Sequence, residues 1–98
     1  MGSVIELRRD DAVSALAERV AVICRAHLLQ PGAVGVPFDH IAYHLGADRP
    51  TVLKAIAWLE RSRRVEVRNF TMRTRPHVIV PAVCRIDDVT AKSHTLAP

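Results

Sequence analysis

The sequence predicts a mainly α member of the α+β class, three helices followed by a two- to three-stranded antiparallel hairpin. Three observations carry that expectation. Apolar residues recur at spacings of three and four early in the chain, Asp48-Arg49-Pro50 has the makings of a helix start, and Val65-Glu66-Val67-Arg68-Asn69-Phe70 alternates apolar and polar. At 98 residues, 49% hydrophobic and 24% charged, the chain suits one core, expected over 1–86, with 87–98 as a polar, flexible C-terminal tail.

The first helix is expected over about 10–29. Asp10 and Asp11 would favour its N-terminus, Val13, Leu16, Val20, Ile23 and His27 form its apolar stripe, and Gln30-Pro31-Gly32 ends it. Ala33 to Pro37 reads as an extended connector able to add a short strand. A second helix of about two turns starts near Phe38 or Asp39 and closes at Gly46, which tolerates positive φ. Asp48 is the N-cap candidate of a third helix running to about Ser62, with Pro50 in its first turn and Val52, Ile56 and Leu59 inward. Val65–Phe70 and His77–Val80 then pair as a hairpin whose tip, Thr71 to Arg75, projects as a loop. Val83, Cys84 and Ile86 can continue a strand.

The net charge of +4 is unevenly placed. Between Arg49 and Arg75 stand eight basic residues against Glu60 and Glu66, a net of +6, and seven of the eight are arginine. Arginine forks suit phosphate, so an anionic partner is expected on this segment.

Helix, short helix, three-residue turn, helix and hairpin is the order of a winged helix-turn-helix, and Phe38 to Arg68 resembles that of GntR- and MarR-type regulators. Ala42 stands where the two helices touch, Gly46 at the turn and Val52 where the second helix packs on the first. The resemblance covers about 30 residues, or about 45 with the hairpin. It implies a sequence-specific, double-stranded DNA-binding transcriptional regulator, usually a homodimer, with the third helix in the major groove and the basic wing on backbone or minor groove.

On that reading Arg49 and Thr51, in the first turn, reach base edges, and Lys54 follows one turn on. Arg68, Arg73 and Arg75 meet phosphate or a narrow minor groove, and Arg61, with Arg63 and Arg64, adds general attraction. The dimer contact is expected on the outer face of the first helix, or at Val4 to Leu7 and Val83 to Ile86. Leu53, Ala57 and Trp58 depart from the pattern, because such regulators usually carry polar residues there. Either the helix is rotated so that Trp58 and Leu53 pack, or the face docks a protein and the chain is an adaptor. A third reading is a replication-linked or architectural protein that binds nucleic acid without sequence preference.

No catalytic centre, cofactor or small-molecule ligand is expected: no nucleophile has a His-acid relay, and no glycine loop resembles a phosphate cradle. His40 and His44 share a helix face, with His77 or Cys84 only as distant supplements, so they read as surface or phosphate-contacting residues and no metal is assigned. Tyr43 has two readings, phosphate donor or packing residue. Cys24 and Cys84 read as buried, reduced thiols. With no run of 18 apolar residues and no signal-peptide core, the chain is expected to be soluble and cytoplasmic, away from membranes.

Overall fold

A computed structural model of the protein describes the backbone of residues 2–91 and the side chains from Ala12 onward. Three helices, α1 (Gly2–Leu28), α2 (Phe38–Leu45) and α3 (Arg49–Arg61), accompany an antiparallel sheet of four strands: β1 (Val36–Pro37), β2 (Val65–Thr71), β3 (Ile79–Ile86) and β4 (Val89–Thr90). The class is therefore α+β. Strand order is β1-β3-β2, with β4 turning back onto β3.

Helix α1 starts at Gly2 rather than near residue 10, so Asp10 and Asp11 lie inside the helix and not at its cap. Glu6, Leu7, Arg8 and Arg9, all good helix formers, let the helix run N-terminal of Asp10 with no start signal there. Its buried face is Ala17, Val20, Ala21, Cys24 and Leu28, turned from the expected stripe. Small residues win the central position because they let α1 approach α3 closely, and Leu16 and Ile23 flank the seam half-buried. Burial pushes the Cys24 thiol up to about 12, so it sits in the core as a small protonated hydrophobe.

The main core joins α1 to Val36, Ile41, Val52, Ile56, Leu59, Val83 and Ile86, each at most 1% exposed. Val83 and Ile86 are three residues apart, which strict strand alternation would put on opposite faces. A register shift between Glu66 and Val67 resolves this: Val65 pairs with Ile86 and Val67 with Val83, so both partners face inward. Val83 and Ile86 are thereby both buried in the core of this chain.

The hairpin differs in its bounds. Its second strand begins at Ile79, not His77, and runs on to Ile86 through Pro81. β1 faces β3 only at Ala82 and Val83, so Pro81 lies where one side of β3 has no strand beside it and a missing N–H is tolerated. The 72–78 connection folds as two successive turns, with Arg75 N–H donating to the Met72 carbonyl (3.1 Å) and Val78 N–H to that of Arg75 (3.0 Å).

Residues 87–90 are not tail. Asp87 and Asp88 form a two-residue turn into β4, and Ala91 is buried; 92–98 lie outside the described residues. Asp87 adopts positive φ and gathers an ion-pair junction with Arg64 Nε (3.0 Å) and Arg25 Nη2 (3.3 Å), while Arg64 also pairs with Glu18. The Arg64 guanidinium, then Arg25, hold the Asp87 carboxyl below its usual range. A carboxylate depressed on folding stabilises at pH above its unfolded value, and that contribution is lost as pH falls through the folded value. Asp87→Asn is thus expected to cost about 1 kcal/mol at neutral pH, the pair being one-third exposed. The melting-temperature gap from wild type should close below about pH 4; a gap constant down to pH 2 would refute the linkage.

On the other face of the sheet Phe70, Ala82 and Cys84 form a second cluster with Val34 and Val80. Gly35 lies against it: a Cβ there would stand 2.9 Å from the Phe70 ring and 3.0 Å from the Ala82 Cβ. Gly35→Ala is expected to cost about 1–2 kcal/mol through forced repacking, seen as several degrees in thermal melts.

Candidate nucleic-acid interface

The α2-turn-α3 unit is built from local signals. Gly46 takes the left-handed conformation (φ 68°), its N–H donating to the Ala42 carbonyl at 2.9 Å, and Ala47 N–H donates to the same carbonyl at 3.2 Å. Asp48 then caps α3. The Thr51 hydroxyl, together with the Thr51 N–H donating at 3.0 Å, draws the Asp48 carboxyl below its ordinary range. Thr51 is half-buried and its polar groups serve this cap.

Val52, Ala55, Ile56 and Leu59 bury one side of α3, leaving Arg49, Leu53, Lys54, Ala57 and Arg61 outside. Trp58 is half-buried and packed against the main core, whereas Leu53 remains 43% exposed and Ala57 is exposed as well, so of the three apolar outliers only the tryptophan packs. The Arg61 guanidinium lies 5.8 Å from the centre of the Trp58 ring, which fixes its direction by a cation-π contact.

Arg49 Nη1 donates to Asp39 Oδ1 at 3.0 Å, tying the start of α3 to the start of α2. Both groups are at least half exposed, so the pair is weak and exchangeable. They open onto a cleft of about 140 Å³ whose far wall is Val78, Ile79 and Val80. This cleft places the N-terminus of α3 beside the strand that issues from the basic 72–78 loop. Ile79 is 64% exposed at its rim.

The expected basic residues separate into two sets. Arg64 belongs to the Asp87 junction, and Arg68 pairs with Glu66 on its own strand at 3.0 Å. Among the described residues Lys54, Arg61, Arg73 and Arg75 have no carboxylate within ion-pair distance, and all four are exposed. They lie on the outer side of α3 and in the 72–78 loop.

The sequence reading missed the neighbourhood of His40 and His44. His27, on α1, lies with its ring centre 4.9 Å from that of His40, and His40 stands 4.3 Å from His44, where Tyr43 packs edge-on at 5.3 Å. The only available signal was that His27 belonged to a helix packed against α2, which no spacing rule supplies. Among the described residues no helix is long and apolar enough to cross a membrane. No protein-family description, curated protein or solved structure matches the chain significantly.

Proposed function

We propose that the protein is a winged helix-turn-helix transcriptional regulator that binds duplex DNA with sequence preference, α3 entering the major groove and the 72–78 loop lying on backbone or minor groove. One observation carries the reading: a capped helix pair joined by residues 46–48 borders the same cleft as the strand leading from a basic loop. The β1-β3-β2 order supports it, since it seats the hairpin against the connector before α2. Arg49 exchanges Asp39 for a base edge on binding, and Lys54, Arg61, Arg73 and Arg75 supply four cations for phosphate. The active species on this reading is a homodimer reading two half-sites.

Fluorescence anisotropy on labelled duplexes over a salt series tests this. Log affinity should fall linearly with log salt with a slope of about −3 to −4 per protomer, from four phosphate contacts. Selection from random duplexes should enrich a sequence bound at least a hundredfold more tightly than the pool. Equal affinity for all duplexes would replace this reading with that of a non-specific nucleic-acid protein, and binding that ignores salt would end both. Sedimentation mass with and without the enriched duplex reads the dimer.

A further inference from the structure

The side of α1 turned away from the core carries a second pattern. Ala12, Ala15, Arg19, Val22, Ala26 and Leu29 recur at alternating spacings of three and four, the heptad seam of a coiled coil, and all of them are exposed. Val22 is 67% and Leu29 63% exposed, and the Leu29 N–H still donates to the Arg25 carbonyl at 3.0 Å, so the helical face continues through it. Ala17, Val20, Ala21, Cys24 and Leu28, which are buried, occupy the opposite face, and the seam therefore has no partner among the described residues. Half-buried Leu16 and Ile23 border it on one flank, where an open groove of about 490 Å³ runs between α1 and α2 past His40 and His44. Glu18 and Arg25 border it on the other flank, beside the Asp87 junction.

We propose that this seam is where two copies of the chain pair, their first helices antiparallel, with Ala15 of each facing the partner's Ala26. Charge selects both the direction and the register. In this alignment Arg19 lies over the partner's Val22, Ala12 over the partner's Leu29, and Glu18 meets the partner's Arg25, twice by the two-fold symmetry. A parallel pair would stack Arg19 on the partner's Arg19 within the seam and leave Glu18 beside the partner's Ile23. Sliding the antiparallel pair by one heptad would set Arg25 against the partner's Arg25, or Glu18 against the partner's Glu18. Glu18 and Arg25 are partly exposed and already oriented by Arg64 and Asp87, so their pairing joins two ion-pair junctions into one network with little further loss of side-chain freedom. Alanine facing alanine lets the axes close to about 8 Å, and Leu16 comes against the partner's Ile23 at the edge of the groove. The seam is about 26 Å long and one helix, about 10–12 Å, wide. That area belongs to the weak, reversible class of interface, so a micromolar dimer is expected. The inference rests on the homodimer of the proposed function and leaves the outer side of α3 uncovered, since α1 meets α3 through its buried face.

Sedimentation equilibrium of the untagged full chain without DNA should show a reversible monomer-dimer equilibrium with a Kd between about 1 and 100 µM. Val22→Glu should weaken it at least tenfold while the dilute chain keeps its circular dichroism and melting temperature, because Val22 is exposed. Disulfide trapping reads direction and register. Ala15→Cys and Ala26→Cys chains, mixed in equal amounts and oxidised, should cross-link to each other at least fivefold more than either does to itself, both native thiols being buried. A monomer at about 300 µM, wild-type dimerisation in Val22→Glu, or Ala26→Cys chains that link to themselves as readily as to Ala15→Cys chains would each overturn the proposal. With no DNA present, any of these results leaves salt-dependent duplex binding to its own measurement.

Discussion

Replacing both Arg73 and Arg75 by alanine is expected to weaken binding to every duplex alike, by about thirtyfold near 0.15 M salt. The figure follows from two phosphate contacts, each releasing about 0.9 counterion, which is about 1.5 decades of affinity at that salt and a slope flatter by about two. Both side chains are exposed on the 72–78 loop and have no carboxylate within ion-pair distance among the described residues, so the melting temperature should move by less than about 2 °C. Arg68→Ala is the internal contrast, since Glu66 already neutralises Arg68 and the slope should hardly change. Arg49→Ala is the second contrast: it should relax preference at one base position and leave random-duplex affinity nearly intact. An unchanged slope in the wing double variant would remove the loop from the interface.

Trp58→Ala should lower stability by about 2–3 kcal/mol and the melting temperature by roughly 10 °C or more. Trp58 packs against the core beside Ile56 and Leu59 and is only partly open to solvent, so truncation leaves a void on the α3 side that the fixed backbone cannot close. Arg61 would lose the ring it rests on, which adds a small electrostatic loss. A tryptophan serving mainly as a docking surface would leave the melt within about 0.5 kcal/mol of wild type. Differential scanning calorimetry separates the two outcomes, and the second would restore an adaptor role for the outer face of α3.

Local chemistry made the middle of the chain legible. Gly46, Asp48 and Pro50 act through bonds closed within five residues, and the structure has α2, the turn and α3 where those residues placed them. The connector strand and the first hairpin strand were equally readable from composition and alternation. The start of α1 was not, because the helix-favouring Glu6-Leu7-Arg8-Arg9 extends a helix without marking where it begins. Its buried face was misjudged for a related reason: periodicity weighs Leu16 and Ile23 by size, whereas close packing on α3 selects Ala17, Ala21 and Cys24. Pro81 suggested a strand end, and only the partial coverage of β3 by β1 explains why the strand continues.

The basic residues of the proposed interface were legible as a charge excess but not as a set. Whether an arginine is available depends on which acid lies beside it, and Glu18 and Asp87 stand 46 and 23 residues from Arg64. His27 joined His40 and His44 through tertiary packing alone.

The Asp87 junction bears on how the chain acquires its fold during synthesis. Arg63, with φ 57°, is a non-glycine residue held in the left-handed region just after α3, at a cost of about 1 kcal/mol or more. Arg85 Nη1 donates to the Asp87 carbonyl at 2.5 Å and Nη2 to the Arg63 carbonyl at 3.3 Å, and Asp87 N–H donates to the Arg64 carbonyl at 2.6 Å. The turn itself is closed locally, Arg63 N–H donating to the Glu60 carbonyl (2.9 Å) and Arg64 N–H to that of Leu59 (2.9 Å), and Arg85 and Asp87 add bonds to it from more than 20 positions later. A nascent chain exposing only α1 to α3 and this turn has the local bonds to Glu60 and Leu59 but not those from Arg85 and Asp87, and has Arg64 without Asp87. The helical half can collapse early with this turn formed, and the bonds from Arg85 and Asp87 that tie the handover from α3 to β2 onto the sheet are added only after the β3–β4 turn has left the ribosome.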